Sequence, residues 1–309
     1  MGAGHDHDHA GADLAAAGDR RRIAVVLAIT ITVLAAEVVG AVWTGSLALL
    51  ADAGHMLTDA AGLVLALVAA HLVTRPATSR RTWGYRRAET LAAAAQALLL
   101  LSVGIYVLVE GIRRLVEPPE VASTGMLVFG IVGLLGNAVS ITLLAGSRGT
   151  NLNLRAAFLE VLNDALGSMA VIVAAIVIAT TGWTRADAIV SLLIGVLILP
   201  RTIALLRDTA RVLLETTPVG LDLDDIRGHI LDVPHVRDVH DLHASQIATG
   251  LPVLTAHVVV DAECFYDGHL ARLLDDLQTC VASHFAVSVE HSTFQFEQAS
   301  HTEHEPSHH

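Results

Sequence analysis

At 309 residues, with 53% hydrophobic content, 16% charged residues and a mean hydropathy of +0.58, the chain is too apolar to be an ordinary soluble domain. A formal net charge of −12 argues against a nucleic-acid partner. Cys264 and Cys280 are too few and too isolated for a disulfide framework or a zinc knuckle, and read as ordinary thiols.

The first segment, Met1–Arg22, is polar, and His5, His7 and His9 alternate there with Asp6 and Asp8. It has no apolar core, so no cleavable signal peptide is expected and the first hydrophobic run reads as a true span. The segment itself is expected to be disordered. Six stretches then approach the roughly 20 apolar residues that cross hydrocarbon. They lie at 23–43, 47–73, 88–110, 122–146, 156–181 and 186–206. Breakers separate them, among them Thr44-Gly45-Ser46, Arg75-Pro76, Glu117-Pro118-Pro119 and Thr181-Gly182-Trp183. Residues 23–206 are therefore expected to form a six-helix transmembrane domain.

The chain contains no lysine, so arginine sets the orientation. Arg20, Arg21, Arg22, Arg75, Arg80, Arg81, Arg86, Arg87, Arg148, Arg155, Arg201, Arg207 and Arg211 fall on one side, and only Arg113, Arg114 and Arg185 on the other. The positive-inside rule puts both termini in the cytoplasm. Beyond Leu206 the pattern changes. A helix is expected over Asp222–Leu231, strands over Val236–His243 and Val253–Val260, a helix over Gly268–Phe285 and a strand over Val287–Phe296. That order describes a small cytosolic α+β domain over 207–297. The remaining 298–309 is polar, histidine-rich and expected to be disordered.

The chemistry lies inside the spans. Ionisable groups at membrane depth cost about 2.5–3.5 kcal/mol each on insertion scales and persist where a partner or an ion compensates them. Taken singly, Glu37, Asp52, Glu110 and Asp187 read as helix caps, arginine partners or the lining of a water cavity, and His71 as structural. His55 and Asp59 are different, because they stand four residues apart in one span and Glu160 and Asp164 repeat that spacing in another. Four residues is just over one helical turn, so each pair projects from one face. Two such pairs supply four donors, enough for a tetrahedral site. Zn²⁺ suits a His-plus-carboxylate set. One imidazole among three carboxylates also admits Mn²⁺, Fe²⁺, Co²⁺ or Cd²⁺.

The segment from Thr44 through His55 to Asp59 (TGSLALLADAGHMLTD) resembles the second-helix signature of the cation diffusion facilitator family. Tyr85-Arg-Arg-Ala-Glu89, Asp164-Ala-Leu-Gly-Ser168 and Val236-Arg-Asp-Val-His240-Asp-Leu-His243 resemble further parts of it, and the likeness runs from about Arg22 to Phe296. Among its branches the chain looks most like the zinc-exporting one. The arginine-only, alanine-rich usage suggests a bacterial chain, so the inner membrane is expected rather than an organelle boundary. The resemblance implies six transmembrane helices, a ferredoxin-like cytosolic domain and a homodimer. It implies transport ligands at His55, Asp59 and Asp164. Glu160 departs from the branch, which usually has histidine there. The family's loop site between helices two and three is not carried over, because Thr74–Tyr85 holds no histidine or carboxylate. The resemblance also implies zinc binding by His240, His257, His269 and His291 at the dimer interface. Thr293 stands where some members have a completing carboxylate.

The expected function is export of a divalent cation, most simply Zn²⁺, against protons. Metal binds His55 only when neutral and Asp59, Glu160 and Asp164 only when ionised, so loading releases protons. Nine glycines in the spans, at 40, 54, 62, 104, 130, 133, 136, 167 and 195, allow close helix contact and sliding. An enzyme is not expected, since the chain has no His-Glu-x-x-His and no Gly-x-Ser-x-Gly. A sensor that binds metal without moving it is the rival outside transport. Histidines at both ends offer weak metal binding at most, because a floppy tail loses entropy on ordering.

Overall fold

The computed structural model describes residues 8–145 and 152–301. His5 and His7, and His304, His308 and His309, therefore lie outside the described residues, as does most of the tail expected to be disordered. Six long helices come first: α1 (Asp8–Thr44), α2 (Leu47–Val73), α3 (Ala88–Val116), α4 (Ser123–Ala145), α5 (Leu152–Thr181) and α6 (Arg185–Leu213). All six are long and apolar enough to cross a membrane. Helix α1 begins at Asp8 rather than near residue 23, because the run from Ala10 to Ala17 is rich in the strongest helix former. Helix α6 passes the end of its apolar run. Arg207, Asp208 and Arg211 end the hydrophobicity without breaking the backbone, and the helix stops just ahead of Pro218.

Packing divides the chain into two units. One takes in the chain through Leu63 with Gln96–Ile203, and the other Val64–Ala95 with the chain from Ala204 onward. In the first, α4 packs against both α1 and α5. One cluster joins Ala41, Leu49, Met126, Val171, Ala174 and Ala186, drawn from five helices. Another joins Ala51 of α2, Val107 of α3 and Ile194 of α6. Val39, Val42, Trp43, Leu135 and Leu197 face outward, as an apolar surface in lipid requires. The turn from α1 to α2 is built by Gly45, whose φ of +70° lets its N–H reach Ala41 O at 3.0 Å. Ser46 then caps α2 by accepting from Leu49 N at 3.1 Å.

The second unit holds α7 (Leu223–Leu231), β1 (Val236–Ala248), β2 (Leu251–Val260), α8 (His269–Ser283) and β3 (His291–Glu297). The helix–strand–strand–helix–strand order is as expected. Strand β1 pairs antiparallel with β2, and β2 pairs parallel with β3. Strand β1 runs to Ala248, farther than its alternation indicated. Register shifts interrupt its pattern, and Asp241, at φ +50°, sits in the one between His240 and His243. The two-residue turn Thr249-Gly250 then returns the chain directly into β2. Strand β3 starts only at His291, since Val289 N bonds to Val281 O at the end of α8 instead. Helix α8 buries Leu273, Leu277, Cys280 and Val281, a stripe at helical spacing, against Val239, Leu254 and Val258 of the sheet. Asp222 caps α7 by accepting from Asp224 N at 2.9 Å.

Candidate metal sites

Helix α2 projects His55 and Asp59 from one face, with Nε2 and Oδ2 3.5 Å apart. From α5, the Glu160 carboxyl shares a hydrogen bond with that of Asp59. Asp164, one turn farther along α5, is buried and within electrostatic reach of Asp59 and Glu160. The two pairs face one another inside the helices that would span the bilayer. They do not close onto one point. Among the described residues, the group of three whose ligand atoms all lie within 4.8 Å of one another is in the cytosolic domain instead. His55 Nδ1, Asp59 Oδ2 and Asp164 Oδ1 are nevertheless buried with no hydrogen-bond partner among the described residues. Buried donors left unpaired are costly, and a cation is what such a set accepts.

Arg201 was not singled out by the sequence as part of this site. It follows Pro200 in α6 and lines a cavity of about 430 Å³ together with His55, Asp52 and Asn163. Its charge acts on His55, Asp59 and Glu160. In the sequence it looked only like an arginine near a span end.

The remaining membrane carboxylates sort by their surroundings. Asp187 is a cap: it accepts from Ser46 Oγ at 2.5 Å, Leu47 N at 2.7 Å and Ala48 N at 3.1 Å, at the head of α2. Glu110 pairs with Arg114 at 2.9 Å and Arg113 at 3.1 Å. Asp52 lines the cavity. Glu37 alone of the four has no such assignment.

In the cytosolic domain, His240 of β1 and His257 of β2 stand directly opposite each other, and their ring centroids are 5.2 Å apart. Glu297 of β3 joins them, with its Oε1 2.8 Å from His257 Nδ1 and its Oε2 3.3 Å from His240 Nε2. Glu297 was missed in the sequence. It follows His291 by an even number of positions in a strand, so period two puts it on the same face, and the parallel pairing sets it opposite Val259, two positions along β2 from His257 and on the same face. His269 and His291 are elsewhere in the protomer. His269 Nδ1 lies 2.6 Å from Asp267 Oδ2, and its ring is 5.3 Å from that of His235. His291 packs edge-on against Trp83, at 4.8 Å between centroids.

Charge is well matched around these histidines. His243 beside Asp241 holds that carboxyl below the usual carboxylate range, and Asp241 Oδ2 also lies 3.7 Å from His257. The Arg237 guanidinium does the same for Asp261, and the backbone N–H of His269 for Asp267. Burial pushes the Cys264 and Cys280 thiols up, so neither is a ready thiolate ligand.

Residues 23–214 match the cation efflux transmembrane domain, and residues 218–299 match the cytoplasmic domain of cation efflux proteins. The metal cation efflux system protein CzcD of Cupriavidus metallidurans is 45% identical over 97% of this chain and 91% of its own length. The zinc transporter ZitB of Escherichia coli is 41% identical over 95% of this chain and 92% of its own. A cadmium, cobalt and zinc/H(+)-K(+) antiporter of Bacillus velezensis is 40% identical over 84% of this chain and 82% of its own.

Proposed function

Because the chain belongs to the cation efflux family, we propose that it exports divalent metal cations, Zn²⁺ foremost, from the cytoplasm in exchange for protons. The observation that carries this reading is the facing of His55 and Asp59 on α2 with Glu160 and Asp164 on α5, four donors, Asp164 buried and His55 and Asp59 half-buried, in helices long enough to span the bilayer. His55 offers a nitrogen lone pair only when neutral, and the three carboxylates offer oxygens only when ionised. Metal arriving from the cytoplasm therefore displaces protons, and protons arriving from outside displace metal. The coupling needs no covalent step. Metal entry draws the two pairs together, and the ligands face one side of the membrane and then the other as the helices slide.

Zinc is favoured by the imidazole–carboxylate donor set and by the naming of ZitB as a zinc transporter. Glu160, a hard oxygen donor where the zinc branch usually has nitrogen, favours a wider range that includes Co²⁺ and Cd²⁺, two metals in the printed name of the Bacillus relative. His240, His257 and Glu297 form a second, cytosolic metal site with a regulatory part. The working unit is a homodimer in the inner membrane, with both termini cytoplasmic, and His269 and His291 bind metal where two cytosolic domains meet.

Purified protein in vesicles, with a pH-sensitive dye and a metal-sensitive dye inside, tests the exchange directly. Zn²⁺, Cd²⁺ and Co²⁺ should move with opposing proton flow, and Fe²⁺ and Mn²⁺ more slowly. Asp59→Ala should reduce metal flux to that of empty vesicles while leaving the dimer intact. Full transport by that variant overturns the site assignment, and metal flux without proton flow overturns the exchange.

A further inference from the structure

Glu37 of α1 is fully buried, at 0% exposure, and neither carboxylate oxygen has a hydrogen-bond partner among the described residues. Its surroundings are oxygen-rich. A Cβ on Gly133 of α4 would sit 2.6 Å from Glu37 Oε1 and 2.8 Å from Ser168 Oγ of α5, so the absence of a side chain there lets the two groups approach. Ser168 Oγ accepts from Asn137 Nδ2 at 3.5 Å and donates to Asp52 Oδ2 at 3.5 Å. Asp52 in turn lines the cavity shared by His55 and Arg201. A row of groups thus leads from that cavity through Asp52 and Ser168 to Glu37.

Burial decides what Glu37 must be. A charged carboxylate with neither oxygen hydrogen-bonded among the described residues and no water in reach is costly, whereas the protonated acid is neutral and can donate toward the Ser168 hydroxyl across Gly133. Among the described residues, the elements around Glu37 bring no cation to it. Helix α4 carries no titratable side chain, α2 offers the acid Asp52 and α5 the acid Asp164, and Arg201 of α6 lies with the cavity. Among the described residues, the cavity that reaches Asp52 does not have Glu37 in its lining.

We propose that Glu37 is a proton-binding site separate from the four metal ligands, reached through Asp52 and Ser168, and that it carries one of the protons exchanged. The proposal rests on the metal–proton exchange argued above. Asp164 lies one helical turn from Ser168, and its charge acts on Glu37. When metal neutralises Asp164, part of the negative field that favours a proton on Glu37 is removed and the proton leaves by the same row of groups. When metal departs, the field returns and the proton is taken up again. By linkage, protonation of Glu37 weakens metal binding by the same factor.

The test counts protons released into weakly buffered detergent solution as the full-length protein binds Zn²⁺, for wild type and Glu37→Gln. The cytosolic sites contribute equally to both and cancel in the difference. The amide, isosteric with the protonated acid, should fold, bind the same number of zinc ions and release about one proton fewer. Its zinc affinity should accordingly change about tenfold less per pH unit. Ser168→Ala, which cuts the relay, should keep zinc binding while proton release lags behind it in stopped flow. Equal proton counts in wild type and Glu37→Gln overturn the proposal. So do misfolding of the amide variant, loss of a bound zinc ion in it, or synchronous release in Ser168→Ala. If wild type itself releases no proton on binding zinc, the exchange fails first, and the proposal with it.

Discussion

Three carboxylates and a neutral imidazole around a divalent ion leave one negative charge over, and Arg201 carries the one positive charge on the wall of the adjoining cavity. With a histidine in place of Glu160, the same sum is already zero. Arg201 is thus a built-in counter-charge for Glu160, and it also competes with the cargo for the same oxygens. Removing it as Arg201→Gln should tighten zinc binding by about tenfold, one unit of charge interaction at partial burial being on the order of 1.4 kcal/mol, and slow metal release in vesicle flux. Pairing it with Glu160→His should restore both, with a coupling energy of about 0.5–3 kcal/mol in a double-mutant cycle measured by calorimetry. Additive effects of the two substitutions would remove Arg201 from the site. The difference in legibility between these residues is physical. His55, Asp59, Glu160 and Asp164 were readable because a helix repeats its face every turn and lipid makes a buried charge conspicuous. Arg201 was not, because an arginine near a span end is ordinary and only the folded chain shows which cavity it lines. Glu297 was hidden for a related reason, since its partners come from two other strands.

The helices and strands themselves were largely legible, and the differences fall where a local rule outweighs hydropathy. Alanine content starts α1 early, and helix-compatible arginines let α6 run on after its apolar run ends. The register shift at Asp241 disguises one strand as two patterns. What hydropathy could not reveal is how the head of α2, the helix that presents His55 and Asp59, is held. Its first backbone N–H groups are satisfied by a carboxylate from α6: Asp187 receives Leu47 N, Ala48 N and Ser46 Oγ, with Arg114 Nη1 3.7 Å away. Asp187 and Ser46 are both buried, so losing this acceptor leaves donors with no water to turn to. Asp187→Ala should therefore lower stability by about 1–3 kcal/mol per donor left unsatisfied, read as a fall in the thermal unfolding midpoint in detergent. Asp187→Asn, which keeps an acceptor oxygen, should recover part of it. Because the cap fixes α2 but contributes no ligand, zinc affinity of the surviving folded fraction should change little. A variant with unaltered midpoint and lost zinc binding would instead make Asp187 a ligand.

The second packing unit joins the C-terminal domain to the ends of α2 and α3 and the segment between them. Arg87 Nη2 meets Glu215 Oε1 at 2.7 Å, Thr249 Oγ1 donates to Glu89 Oε1 at 3.1 Å, and Trp83 lies edge-on against His291. The first two contacts are exposed polar ones, which are individually weak and screened by salt. The third is different, because it occupies a histidine expected to bind metal. The His291 ring cannot both keep its place against the indole and turn to an ion shared with a second copy. Metal binding there should release Trp83, and with it a contact tying the C-terminal domain to the segment between α2 and α3. Of the three tryptophans, Trp43 and Trp183 lie on α1 and at the head of α6, away from this contact, so Trp83 can be read by difference. Zinc titration of the full-length protein should shift Trp83 emission, isolated by subtracting the Trp83→Phe signal, with saturation at the cytosolic site's stoichiometry. His291→Ala should abolish that shift while preserving flux through His55 and Asp59 at saturating metal. Spin labels on the two cytosolic domains should approach one another over the same range of zinc. Emission that follows zinc equally well in His291→Ala would mean that the indole senses some other event, and that the Trp83–His291 contact is packing alone.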